Sequence, residues 1–249
     1  MADSSATHWH PPAAYLYTVH LDGPSLAWEY LRRNPDYQLD WQRQRPEVPS
    51  PQRWGLRLFE DPSCDARSIQ PAWQADIDAA IPVRTDDDPP EDAPPFCLWD
   101  IPGHKILSDD GQHLRLTSFV GCQVARMAIA HNLEDGMPYT YAVRAGLQSC
   151  ARWRAIEVQL AVLDAPPVVS HPRPNRSSLA HMRTLQALDG ILAGASHREV
   201  ADAVFGSRAV AERWHADGDL RAQVRRLIRG GQALMTGGYR RLLQIDPSA

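Results

Sequence analysis

The sequence predicts an α+β protein: a small N-terminal helical module, a middle antiparallel β/α unit, and a C-terminal helical, helix-turn-helix-like domain. Three observations predict it. Near the C-terminus Leu179, Met182, Leu185, Leu188, Ile191 and Leu192 recur at helical spacing. In the middle, short alternating runs flank an Asp-Gly pair, as in HKILSDDGQHLRL. Proline-rich stretches separate these zones. The expected boundaries are residues 12–45 for the first module, 52–163 for the middle unit, 164–175 for a linker and 176–245 for the C-terminal domain.

In the first module, Pro24 to Arg33 reads as a helix capped by Ser25, with Trp28 and Leu31 following at three-residue spacing. Asn34-Pro35 stops it, because proline disfavours helical geometry in the preceding residue. Tyr37, Leu39 and Trp41 then alternate with polar residues, and the module closes on an aromatic core. After the proline-rich stretch Pro46 to Pro51, the residues Trp54, Leu56, Leu58 and Phe59 predict one strand. Asp86 to Pro95 (DDDPPEDAPP) is a loop: three aspartates repel one another and four prolines block regular hydrogen bonding. Consecutive residues of an extended loop point different ways, so these acids form a solvated turn and not a metal site.

The middle unit begins with a hairpin, His104–Leu107 and His113–Leu116, around Ser108-Asp109-Asp110-Gly111. Glycine supplies the positive φ that such turns need. Val124–Ala130 and Tyr139–Val143 predict a second hairpin around Glu134-Asp135-Gly136. Trp153 to Leu163 reads as a helix, with Ile156, Leu160 and Leu163 on one face. Asp164 to Asn175 (DAPPVVSHPRPN) is a linker by its four prolines.

The C-terminal domain opens with an amphipathic helix over about residues 178–193, ended by Gly194. Ser196-His197-Arg198-Glu199 is a capping box, in which serine and glutamate satisfy each other's free backbone amides. The short helix it starts closes at Gly206, with Val200, Ala203 and Val204 inward. A capped short helix with small inner residues and a terminal glycine is how a helix-turn-helix begins. Ala209 to His215 forms a further short helix, and Asp217-Gly218 breaks it. Asp219 caps a longer helix, LRAQVRRLIRGGQALM, whose glycine pair is positioned to end it early. Leu220, Val224, Leu227 and Ile228 are its apolar stripe. Arg221, Arg225 and Arg229 stack at four-residue intervals, with Arg226 on a flank and Gln223 nearby.

Each like-charge pair at this spacing costs a few tenths of a kcal/mol in an isolated helix. Inside the helix no acid sits four residues away; Asp217 and Asp219 precede it. The row therefore calls for an outside anion. DNA offers phosphates, and guanine O6 and N7, which guanidinium meets with two hydrogen bonds. Arg240 and Arg241 extend the basic surface to backbone phosphates. The competing reading is a solvated arginine face, or one answered by acids of the N-terminal half.

Charge agrees. The net formal charge of −4 conceals a split: residues 171–249 hold 12 arginines against 7 acids, +5, whereas residues 1–170 hold 14 basic and 23 acidic residues, −9. Such asymmetry marks a nucleic-acid-facing end or a docking surface for a protein. Lys105 is the single lysine, so the arginine count as such argues for nothing; their placement does. Cys64, Cys97, Cys122 and Cys150 stand far apart, without CxxC or histidine at ligand spacing, and read as reduced thiols. No metal site and no cofactor is expected. No apolar run approaches the ~20 residues that span a bilayer. Met1 to Pro11 carries neither positive charge nor an apolar stretch, so it is no secretory signal, and a cytoplasmic protein without membrane contact is expected.

Residues from about 178 to 243, above all HREVADAVFG, RRLIR and ALMTGGYRRLL, resemble a proteobacterial domain family first catalogued as of unknown function, itself similar to a helix-turn-helix variant. The start, YLYTVHLDGPSLAWEYLRRNPDYQLDW, resembles the transcriptional-regulator-like domain found with it, with WEYLRRNPDY as hallmark. In this order the pair resembles the frameshifted excision activators (FseA type) of integrative and conjugative elements. The resemblance implies a transcriptional activator of excision genes and assigns DNA contact to Arg221, Arg225, Arg226 and Arg229. It also implies a related antiactivator as partner. One departure is that Ser207 to Gly218 intervenes before the arginine helix, so Ala209 to His215 stands as a second candidate reading helix, with Arg208 and Arg213 as its contacts.

The expected function is thus a DNA-binding transcriptional activator of excision and transfer genes, whose partners are double-stranded promoter DNA, RNA polymerase and an antiactivator of the same domain family. The N-terminal module is expected to serve activation and to be dispensable for DNA binding. The alternative is an antiactivator-like interaction module that holds a related regulator without touching DNA. An enzyme is not expected: the sequence has no GxSxG, no phosphate-cradling glycine loop, no HExxH and no local Cys/His arrangement, and no catalytic residue is assigned.

Overall fold

The computed structural model describes residues 9–43, 50–74, 80–120, 123–142, 156–157, 159–161, 163, 174–215 and 218–243. The chain forms two compact units. A helical one is built from both ends, residues 1–42 and 173–242, and the other from residues 43–172 with 243–249. The expected α+β class, helical at both ends, is what the structure shows.

The second unit is organised by a five-stranded mixed sheet of β1 (Ile81–Thr85), β2 (His104–Asp109), β3 (His113–Val120), β4 (Gln123–Ala130) and β5 (Tyr139–Tyr141), in the order β2-β3-β4-β1-β5. β2 and β3 form the expected antiparallel hairpin, with Leu107 opposite Leu116. In its turn Asp110 accepts from the amides of Gln112 and His113, and Asp109 from that of Gly111. The second expected hairpin is not one. β1 lies between its two arms, parallel to β4 and antiparallel to β5, and Val143 falls outside the described residues. The reason is burial: Ile81 and Val83 are fully enclosed, so β1 takes the interior position and the less apolar β5 the edge. The strand expected at Trp54–Phe59 is also replaced. Pro51–Trp54 is a 3-10 turn, and Leu56 makes an isolated bridge to Trp73. Ile156, Leu160 and Leu163 are helical as expected, Trp153 lies outside the described residues, and so does most of the 164–175 linker. Leu163 packs on the core of Val83, Phe96, Leu116, Met127 and Ile129.

Glu60 in this unit is pushed up to about 7 by burial, against a hydrogen bond from the Ala72 backbone that pulls the other way. Between its ordinary 4.5 and about 7 the folded state holds more protons than the unfolded one, so stability falls as pH rises through that window and stays level above it. Glu60→Gln removes the slope. Urea unfolding should show the variant more stable than wild type by about 2 kcal/mol at pH 8 and equal to it at pH 4.

The helical unit comprises a 3-10 segment, Pro12–His20, then α1 (Gly23–Leu31), α2 (Pro35–Gln42), α3 (Arg176–Leu192), α4 (His197–Phe205), α5 (Ser207–Arg213), α6 (Asp219–Met235) and a closing 3-10 segment, Gly238–Leu243. The cap of α1 is Asp22, not Ser25; its carboxylate accepts from the Ser25 amide. Asn34-Pro35 ends α1 but also starts α2. The Asn34 side-chain oxygen accepts from the amides of Asp36 and Tyr37, and proline fits the first turn of a helix. Tyr37, Leu39 and Trp41 are therefore helical, and the alternation seen in the sequence carries no strand. Trp28 and Tyr37 pack edge to face at 5.7 Å, giving the expected aromatic core.

Long-range polar contacts join the two ends. The Arg33 guanidinium donates twice to Asp189 on α3, at 2.6 and 2.9 Å, and to the fully buried Glu29 carboxylate at 2.6 Å. Tyr15 donates its hydroxyl to Asp189 at 2.7 Å. Burial alone would lower the Arg33 pKa, yet Asp189 and Glu29 raise it well above its ordinary value, so the guanidinium stays charged. The buried Gln186 amide donates to the Trp9 and His10 carbonyls, and Asn34 donates to the Met235 carbonyl at 3.0 Å. Asp189→Ala leaves Arg33 under-compensated in a dry environment and should cost about 3–5 kcal/mol by chemical denaturation; a loss below about 1 kcal/mol would show that the cluster does not tie the unit together.

Candidate nucleic-acid interface

Asn175 caps α3 through the Ser178 amide, and Gly194 terminates it as expected. Both halves of the Ser196/Glu199 capping box are formed, and the hydrogen bond from the Ser196 backbone keeps the Glu199 carboxyl below its ordinary range. Gly206, at φ +87°, is the sole residue between α4 and α5, a conformation that a β-carbon opposes. α5 starts two residues earlier than the sequence indicates and ends at Arg213.

α6 does not stop at its glycine pair; it runs on to Met235. The reason is tertiary. A β-carbon on Gly231 would lie 3.1 Å from Leu188 Cβ and 3.3 Å from the Thr184 carbonyl, so glycine is what lets α3 and α6 approach. Leu220, Val224, Ile228, Gly231 and Met235 are the buried face, with Leu227 half-buried beside them. The cap expected from Asp219 is absent: Gly218 precedes the helix, and the Asp219 carboxylate instead takes the Arg213 guanidinium, which holds it below its ordinary range.

The outward face of α6 carries Arg225, Arg226, Arg229, Gln232, Ala233 and Thr236, all exposed. Among the described residues, none of these three arginines makes an ion pair or a hydrogen bond. The remaining expected residues are placed differently. Arg221 is half-buried with its guanidinium over the Trp214 ring at 5.7 Å. Gln223 is half-buried and lies off the arginine face. Arg240 is exposed and sits 5.9 Å from the ring of the buried Tyr239, and Arg241 is exposed beside it. The arginines of α5 are answered from within the unit, Arg208 by Glu212 at 2.9 Å and Arg213 by Asp219. Sequence reasoning does not mark Gln232. Its signal lies in the spacing, three residues beyond Arg229 and seven beyond Arg225, but is hidden by the expectation that the glycine pair ends the helix early.

An arginine row with no acid against it can bind a polyanion, each guanidinium offering paired hydrogen bonds to phosphate or to a guanine edge. Among the described residues no group of His, Cys, Asp and Glu could hold a metal ion, and no helix is long and apolar enough to cross a membrane.

Comparison with known families places names on both ends. Residues 128–244, which include α3 to α6, match the DNA-binding domain of a T6SS transcription factor family. Residues 8–58, which include α1 and α2, match a proteobacterial transcriptional regulator-like domain. Residues 78–124 match a domain of unknown function. No curated protein matches the chain. The two named matches support a transcriptional regulator that carries a DNA-binding domain, with DNA as a partner, and these domains belong to a generally non-enzymatic class.

Proposed function

We propose that the chain is a cytoplasmic transcriptional activator that seats the exposed arginine face of α6 on promoter DNA and controls excision and transfer genes of a mobile conjugative element. The observation that carries the DNA-contact assignment is the row Arg225, Arg226, Arg229: exposed, on one face, without an acid among the described residues, and inside the matched DNA-binding segment. α4, Gly206 and α5 act as the helix-turn-helix-like support. α6 is favoured over α5 as the reading helix because Glu212 and Asp219 already compensate the α5 arginines. Arg240 and Arg241 add phosphate contacts, while Arg221, stacked on Trp214, borders the face. The activator role and the excision genes rest on the resemblance of the paired end motifs to excision activators. RNA polymerase and an antiactivator of the same domain family are the protein partners this role involves.

Arg225→Ala/Arg229→Ala tests the row without touching a packed residue. On a fragment from upstream of an excisionase gene, the double variant should bind at least about a hundredfold more weakly near physiological salt. The slope of log affinity against log salt should shrink by ~0.9 for each phosphate that is no longer neutralised. Melting should move by less than the equivalent of about 0.5 kcal/mol. Unchanged DNA affinity, with tight binding to a related regulator, would favour the antiactivator-like module instead.

The helical unit also alters what a truncation should do. Residues 9–42 supply Tyr15, Arg33 and Asn34 to contacts with α3 and α6, which supports a part for them in DNA binding through the fold of the helical unit. Removing residues 1–42 should abolish DNA binding together with the helical circular-dichroism signal of the C-terminal segment. Retained affinity in a folded truncation would show that the two ends act separately.

A further inference from the structure

We infer that Gln232 is the adenine-reading residue of α6, and that it works beside Arg225 and Arg229, one or both of which read guanine, within a single major-groove contact. The inference rests on the DNA-binding reading above and deepens it by naming the specificity determinant. Gln232 is exposed on the same face as the arginines. Its backbone carbonyl is occupied by the Thr236 amide and hydroxyl at 2.9 and 2.8 Å, whereas its side-chain amide makes no hydrogen bond among the described residues. That amide thus presents a donor and an acceptor outward on a basic helix face.

The major groove supplies the complement. Adenine shows an N7 acceptor and an N6 donor side by side, which a glutamine amide meets with two hydrogen bonds, while guanidinium meets guanine O6 and N7. A guanidinium reads guanine but can also be satisfied by any phosphate, so arginines alone specify at most guanine positions. The one neutral amide on the row breaks that degeneracy. Ala233, exposed next to it, adds no bulk against the groove and offers a methyl group of the kind that meets thymine.

Helix geometry sets the spacing. Seven residues from Arg225 to Gln232 correspond to about 10.5 Å along the axis, and three from Arg229 to about 4.5 Å. At ~3.4 Å per base step these are roughly three steps and one step. The site should therefore hold an adenine about one step from any guanine read by Arg229 and about three from any read by Arg225. Gln223, half-buried on a different flank, is not placed for this role.

The test uses the full chain and a pool of random duplex DNA, selected on wild type and on Gln232→Ala, Gln232→Arg and Arg226→Ala. The inference expects wild type to enrich a motif with one adenine preferred at least about tenfold over other bases. Gln232→Ala should level that position to within about twofold, keep the guanine preference and leave the salt slope and the melting temperature unchanged. Gln232→Arg should move the preference at that position to guanine. Arg226→Ala should weaken all sequences alike. A wild-type motif whose every position survives Gln232→Ala overturns the inference and leaves DNA binding by α6 intact. A pool with no enrichment and no salt-dependent binding overturns both.

Discussion

The helical unit depends on a largely buried charge cluster in which the enclosed Glu29 takes both Arg32 and Arg33, and Arg33 also takes the part-exposed Asp189. A buried ion pair gains little over an apolar contact, but each member commits the others, because a lone charge in that environment is costly. Arg33 spans from α1 to α3 and takes carboxylates on both sides. With Tyr15 on the same Asp189, the cluster fixes which face of α3 turns toward the N-terminal segment. The neighbouring turns of α3 carry Thr184 and Leu188, against which Gly231 packs. A salt bridge between α1 and α3 thus orients the face of α3 on which Gly231 of α6 packs.

The same unit handles its positive charge in two ways. On α5 each arginine has an acid within the fold; on α6 Arg225, Arg226 and Arg229 have none among the described residues. Exposed ion pairs stabilise a fold little, so this difference has no large consequence for stability. It does have one for binding, since a compensated guanidinium must give up its acid before it can meet a phosphate. The matched DNA-binding segment, residues 128–244, overlaps the positively charged stretch of the sequence.

Much of this was legible in the sequence, and the exceptions share a physical cause. The Ser196/Glu199 box, the ends at Gly194 and Gly206, the amphipathic α3 and the 104–116 hairpin are written in local signals of a few residues, and the structure repeats them. The arginine row was visible because helical spacing alone defines it. What failed was decided by distant partners. β1 is five residues with a proline, and its place beside β4 is set by a residue pairing 46 positions away, Ile81 with Met127. Gly230-Gly231 reads as a stop by propensity, about 1 kcal/mol each against alanine, yet packing against α3 outweighs it. Asn34-Pro35 gave only half of its meaning, since a residue that ends one helix can cap the next.

That the helical unit takes its pieces from both ends has a consequence for biosynthesis. The first segment, with Arg33 and Tyr15, leaves the ribosome well over a hundred residues ahead of Asp189, and of the two carboxylates that Arg33 meets in the fold only Glu29 is made before then. The sheet-bearing stretch is translated in between, with all its strand pairings available locally to itself. Interrupted synthesis therefore leaves a polypeptide in which α6 is either missing or unsupported. On the proposed reading of α6, promoter binding therefore belongs only to polypeptides whose translation has passed that helix.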